Sequence, residues 1–178
     1  MKVAIIGGGI VGSTAAYYLS QSDTVTIDLY DDNLYSGTRA AVGIVCPWIT
    51  QRVNKAWYAL VEDGANFYQQ LFDDLQDTSF MTPSGAIIMN PNRHEYLLEL
   101  ARKRLETNPI MEVVEEITET DLLPKSFKFD KGIYIKGAFR IDGGKFLDVM
   151  HSKMKSVNFI HEKTTLSHLL TMDYDKIL

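Results

Sequence analysis

Three glycines near the amino terminus, Gly7, Gly9 and Gly12 in "IIGGGIVGSTAAYY", form G-x-G-x-x-G, and the acid Asp31 follows the last of them by 19 positions. Residues of these types in this order suit the holding of a pyrophosphate that bridges two nucleoside halves. The first glycine permits a tight turn, the second lets backbone approach the pyrophosphate, and the third lets a helix pack closely on its strand. Ile10 and Val11 would open that helix, so that free N–H groups and a partial positive charge face the anion. Asp31 would accept hydrogen bonds from a ribose; Asp32 is its neighbour and rival, and the spacing favours Asp31. A phosphorylated ribose calls for a nearby arginine, and none stands beside Asp31. The motif therefore predicts an adenine dinucleotide and leaves NAD and FAD both open.

The flanking elements must place these residues. Lys2–Ile6 (KVAII) reads as a buried parallel strand, and from Ile10 to Ser22 the pattern is helical, with Val11, Ala15, Tyr18 and Leu19 as its apolar stripe. Thr24–Tyr30 (TVTIDLY) reads as a second strand ending at Asp31, which completes a β-α-β unit. Ser36–Thr50 reads as loop plus short strand, and Ala56–Leu75 as a strongly amphipathic helix. Phe80–Met89, with Pro83-Ser84-Gly85 as a turn, suggests a hairpin, and Asn92 opens a helix to about Thr107. Lys128–Ile141 suggests two strands of one antiparallel sheet. Asp142 is a good cap for a helix Gly143–Lys155 with the stripe Phe146, Leu147, Met150 and Met154, and VNFI and YDKIL suggest two further strands.

The expected fold class is thus α/β: a Rossmann-like FAD/NAD(P)-binding domain (βαβ, parallel sheet) with an inserted, mostly antiparallel β substrate domain. Residues 1–78 and 143–178 are assigned to the dinucleotide domain, discontinuous and incomplete at its carboxyl end, and 79–142 to the insert.

Bulk properties narrow the partners. The net charge of −5 argues against nucleic acid or an anionic membrane, and no apolar run approaches a membrane span. One cysteine, Cys46, permits no internal disulfide, fits a reducing cytoplasm, and removes the dithiol that a flavin-linked disulfide reductase needs. Cys46 reads as an apolar filler. His94, His151, His161 and His168 share no ligand spacing, so no metal is expected. Arg52 and Arg140 could face a substrate carboxylate, but a solvated or ion-paired arginine accounts for each at least as well. Trp48 and Tyr58 could wall an amine pocket and read more simply as core. Asp73-Asp74 and Glu115-Glu116 read as solvated faces.

Identity of the cofactor comes from the wider context. "KVAIIGGGIVGSTAAYYLSQSDTVTIDLYD" resembles the amino terminus of the FAD-dependent D-amino-acid oxidase superfamily, the group that includes glycine oxidase and the D-amino-acid dehydrogenases. "GTRAAVGIVCPW" is similar to that family's loop beside the flavin, "TPSGAIIM" to its substrate-domain strand, and "FRIDGGKFLDVM" to the segment leading into its next helix. The resemblance covers essentially the whole chain. It implies FAD as cofactor and oxidation of a small amine or amino acid by hydride transfer to flavin. By position, Arg39, Ala40, Ala41, Gly43 and Ile44 would line the flavin, and Thr165 or its neighbours would approach the adenine. The catalytic side chains stay unassigned.

Family members are roughly twice as long, and in them the strand similar to YDKIL continues into a further FAD-contacting turn. The expectation is therefore a truncated member whose site needs a missing carboxyl-terminal half or a homo-oligomeric partner. Three readings stand: an FAD-dependent amine or amino-acid oxidoreductase, a catalytically incomplete FAD-binding fragment of one, and an NAD-dependent dehydrogenase.

Overall fold

The computed structural model describes residues 1–34, 36–52 and 54–178. In chain order its elements are β1 (Lys2–Ile6), α1 (Ile10–Ser20), β2 (Thr26–Tyr30), α2 (Gly37–Ala40), β3 (Ile44–Val45), α3 (Lys55–Leu75), β4 (Met81–Thr82), β5 (Ala86–Ile88), α4 (His94–Leu105), β6 (Val113–Ile117), β7 (Gly132–Lys136), β8 (Phe139–Ile141), α5 (Gly143–Ser152), β9 (Val157–Ile160), α6 (Leu166–Leu169) and β10 (Lys176–Ile177). They form two compact units, residues 1–43, 75–80 and 142–178 in the first, and 44–74 and 81–141 in the second.

The first unit is built on a four-stranded parallel sheet in the order β10-β1-β2-β9. Strand β1 runs in register with β2 from Lys2 opposite Thr26 to Ile6 opposite Tyr30. A parallel strand is covered on both faces, which the β-branched run of β1 suits. Val3 and Ile5 point with Ile27 and Leu29 into one core that also takes Ala16 of α1 and Met154, while Ala4 points to the other face with Tyr30, Leu169 and Ile177. Each fully buried Ile or Leu of this kind contributes about 1.5–3 kcal/mol. Asp142 caps α5 by accepting the Lys145 N–H at 3.1 Å. Phe146 of α5 meets Phe80 edge-on at 5.0 Å between ring centroids. A polar cluster ties β10 to the sheet: the Tyr174 hydroxyl donates to Asp28 at 2.6 Å and also meets the Tyr30 hydroxyl at 2.8 Å.

Helix α1 turns only part of the expected stripe inward: Ala15 and Leu19 pack against the sheet core, but the fully buried positions are others. Ser13, Ala16, Tyr17 and Ser20 are buried, whereas Val11 is 81% exposed. The reason is local hydrogen bonding. Ser13 and Ser20 satisfy their hydroxyls on the carbonyls of Gly8 and Tyr17, so polar residues occupy a packing face without an unmet donor.

The second unit carries two three-stranded antiparallel sheets, β3-β8-β4 and β5-β7-β6. Its core gathers Trp48, Leu97, Leu98, Ala101, Met111, Ile133 and Ile135 where α4 lies over the second of these sheets. Residues 44–74 cluster here, although the sequence suggested the dinucleotide domain for them; β3 pairs with β8, Ile44 opposite Arg140, and draws the segment in. The suggested hairpin at Phe80–Met89 is absent, because β4 pairs with β8 and β5 with β7. β7 and β8 likewise belong to separate sheets. β6, which the sequence reading left without an element, is the other partner of β7.

Candidate dinucleotide site

Strand order reverses at β1. From β1 the chain moves through α1 to β2 and later β9 on one side, while β10 lies on the other. In an open parallel sheet the crevice beyond the carboxyl ends of the strands at such a reversal is where ligands bind. The loop Gly7–Gly12 occupies that position on β1.

Backbone conformation follows from the residue types. Gly7 adopts φ +99°, a region that side chains rarely enter, and its N–H donates to the Tyr30 carbonyl at 2.8 Å. The Gly8 N–H donates to the Asp31 carboxylate, and the Gly8 carbonyl accepts the Ser13 hydroxyl at 2.9 Å. The Ile10 N–H donates to the Thr38 hydroxyl at 2.9 Å. Among the described residues, the N–H groups of Gly9, Val11 and Gly12 find no acceptor. A methyl group on Gly12 would lie 1.9 Å from the Gly7 carbonyl oxygen and 3.1 Å from Ile5 Cγ2, so helix and strand approach as closely as backbone allows. A methyl group on Gly9 would meet only Thr38 Oγ1, at 3.3 Å. These features fit a pyrophosphate: unsatisfied donors at a helix start, on a turn with open space at Gly9.

The other expected residues are placed as follows. The Asp31 N–H donates to Ile160 at 3.0 Å, fixing the residue beyond β2, and its second carboxylate oxygen accepts the Asn33 N–H at 2.7 Å. Asp31 thus holds the loop itself, and each oxygen keeps a lone pair for a ribose hydroxyl. Asp32 accepts the Leu34 N–H at 3.1 Å within the following turn. Arg39 forms an ion pair with Asp148 of α5 at 2.8 Å. Ala40 and Ala41 are exposed at the end of α2; Gly43 closes a segment of the first unit, and Ile44, 67% exposed, begins β3 in the second. Thr165 caps α6, accepting the His168 N–H at 3.3 Å. Sequence reasoning missed Ser13, Thr38 and His151. Ser13 stands directly after Gly12, and that adjacency was the available signal.

Elsewhere, polar groups are structural. Burial pushes the Cys46 thiol up to about 12, which keeps it protonated and unreactive. Trp48 is wholly buried, and Arg104 donates to the carbonyls of Trp48 and Thr50 while stacking 4.1 Å above the Tyr58 ring. Burial pushes the Tyr58 hydroxyl up to about 12, and it donates to Glu62 at 3.0 Å. Arg52 stacks on Trp57 at 4.5 Å, and Arg140 is exposed on β8. Glu116, expected as a solvated acid, pairs with buried His94 at 2.6 Å and with Lys131 at 3.3 Å. The His94 hydrogen bond, then Lys131, holds its carboxyl below the usual value. Glu95 shares this cluster, and the Lys131 ammonium supplies its positive charge. The second unit also contains a cleft of about 480 Å³, a small-molecule volume, walled by Phe72, Met81, Tyr134 and Phe139 with the Glu112–Lys136 ion pair at its edge.

Residues 2–170 match the protein family described as FAD dependent oxidoreductase, DAO. The chain belongs to that family. This DAO-family chain is 30% identical over 148 residues to the uncharacterized oxidoreductase YurR of Bacillus subtilis (strain 168), an alignment covering 78% of the chain and 40% of YurR. Among solved structures it is similar to iminodiacetate oxidase from Chelativorans sp. BNC1, with a TM-score of 0.78 and 27% identity over 90% of this chain and 47% of the oxidase. It also shares the fold of glycine oxidase from Bacillus cereus ATCC 14579, with a TM-score of 0.68 and 18% identity over 92% of this chain and 48% of that one. The chain therefore spans about half the length of the relatives it matches. The cofactor of the family is FAD, which resolves the choice that the glycine motif left open. No helix among the described residues is long and apolar enough to cross a membrane.

Proposed function

We propose that this DAO-family chain binds FAD through the Gly7–Gly12 loop and serves the oxidation of a small amine or amino acid. The observation that carries the reading is the set of free N–H groups at Gly9, Val11 and Gly12, held at the reversal point of a parallel sheet by Asp31, Ser13 and Thr38. Gly9, Ile10, Val11 and Gly12 would hold the pyrophosphate, and Asp31 would accept from the ribose beside the loop it anchors. Arg39, Ala40, Ala41, Gly43 and Thr165 are proposed to flank the cofactor from the segments after β2 and β9. The flavin, when bound, supplies the redox chemistry by accepting hydride from the carbon that bears the nitrogen. The chain's own residues bind and orient: the helix start offsets the pyrophosphate charge, and the loop excludes side chains from its path.

The amine class is favoured by the iminodiacetate oxidase likeness, the most similar of the solved structures described above. The test is anaerobic addition of iminodiacetate, glycine and D-alanine to the FAD-loaded chain, with glycerol 3-phosphate as an alcohol control. Bleaching of the visible flavin colour by one of the amines and not by the alcohol is the expected result. Bleaching by the alcohol alone, or by none of the four, would refute the amine reading.

A further inference from the structure

His151 lies in the last turn of α5, 138 residues from Ser13, and its Nε2 atom stands 2.8 Å from the Ser13 hydroxyl oxygen. That hydroxyl has one proton, and the proton points to the Gly8 carbonyl at 2.9 Å. The second contact of the same oxygen is then one in which it accepts, so His151 must donate from Nε2. Ser13 is fully buried, so with the imidazole in place no water competes for its hydroxyl. The ring is also held from behind by Phe159 of β9, with centroids 4.8 Å apart.

The consequence falls on the glycine loop. The two peptide groups flanking the Gly8 Cα are both fixed, one by the Gly8 N–H on Asp31 and the other by the Gly8 carbonyl on Ser13. A carbonyl fixed toward the helix is a carbonyl withheld from the anion, and the Gly9 N–H of the same trans peptide group then points the opposite way. We propose that His151 is a positioning residue for the dinucleotide loop, holding the Gly8 carbonyl through the Ser13 hydroxyl so that the free N–H groups of Gly9, Val11 and Gly12 stay convergent. The inference rests on the FAD reading above.

The charged groups facing His151 are Arg39 and Asp148, which pair with each other, and Asp31. Burial, then the Arg39 charge, holds the imidazole below its ordinary value of 6.5, so the ring is neutral at pH 7 with its single proton on Nε2. The imidazolium also donates from Nε2. The hold on the loop is therefore the same above and below the titration, and it acts as a fixed strut and not as a pH switch.

Two measurements on the 178-residue chain test this. Nitrogen-15 spectra of the histidine rings at pH 7.5 should show the Nε2–H tautomer for His151; the Nδ1–H tautomer would overturn the proposal. FAD titration should show His151→Ala weakened about tenfold, the scale of one buried hydrogen bond lost, with the thermal transition retained. His151→Gln, whose amide can donate to Ser13, should recover to within about threefold of the parent, because the geometry of donation is restored. An alanine variant of parent affinity, or a glutamine variant as weak as alanine, would overturn it. A parent chain that binds no FAD would refute the dinucleotide reading instead, and the tautomer would then decide by itself whether His151 holds the loop.

Discussion

Gly12 and Gly64 both sit inside helices, and the same substitution to alanine should have opposite effects at the two. At Gly12 the new Cβ would stand 1.9 Å from the Gly7 carbonyl oxygen, whereas ordinary contact begins at 3.4 Å, so α1 must retreat from the end of β1 by about 1.5 Å (3.4 − 1.9). The obstacle is backbone and cannot rotate away, so the cost lies at the upper end of the overpacking range, about 3 kcal/mol. Alanine returns up to about 1 kcal/mol of helix propensity, which leaves a net loss of about 2 kcal/mol. Gly64 in α3 has nothing within 4 Å of its absent Cβ, so there only the propensity gain of about 1 kcal/mol applies. For a chain of this length the Gly12→Ala loss corresponds to a fall in Tm of about 4–8 °C. Thermal unfolding followed by circular dichroism, with FAD affinity read in parallel, should show Gly12→Ala lowered in both and Gly64→Ala raised in Tm at parent affinity. A Gly12→Ala protein as stable as the parent would show that α1 and β1 do not meet at this distance.

Further outcomes follow from the polar groups around the sheet. Tyr174→Phe removes the donor to Asp28 and should cost about 1 kcal/mol at pH 7, measured by urea unfolding. Burial alone would raise the Asp28 carboxyl, but hydrogen bonds from Tyr174 and Asn158 and the Lys2 charge outweigh it and hold the group below its ordinary 3.8. A lowered carboxyl stabilises the fold above that value and loses the contribution as pH falls through the folded value, so the gap between parent and variant should shrink below about pH 3.8. A gap constant from pH 7 to pH 2.5 would place the effect elsewhere. Arg39→Ala breaks an exposed ion pair with Asp148 and should change stability by less than about 1 kcal/mol. If its FAD affinity also equals that of the parent, Arg39 does not flank the cofactor.

The β1-α1-β2 unit and its loop were legible because each residue type there answers a local demand: a β-branched strand, a turn at φ +99°, a close helix contact and an acid beyond the second strand. The inward face of α1 was legible only at Ala15 and Leu19, because Ser13 and Ser20 bury their hydroxyls on neighbouring carbonyls and a count of apolar residues passes over them. Partner choice among the short strands was also hidden. Three residues such as Ala86–Ile88 announce a strand, but only tertiary pairing sends β5 to β7 and β4 to β8. β6 was masked by Glu115 and Glu116, the second of which is engaged by His94 from α4. Thr38 and His151 reach the loop from 28 and 138 residues beyond their respective partners, Ile10 and Ser13, and no local pattern marks such contacts.

The central claim, that the Gly7–Gly12 loop holds FAD, is tested most directly by titrating the 178-residue chain with FAD, with Gly9→Val as its partner. Gly9 has φ −74° and ψ −172°, a backbone that valine can adopt, so the variant should keep the parent's fold while its side chain fills the pyrophosphate's space. The account predicts saturable binding near one FAD per chain for the parent and its loss in Gly9→Val. Equal binding by the two proteins, or none by the folded parent, would contradict it.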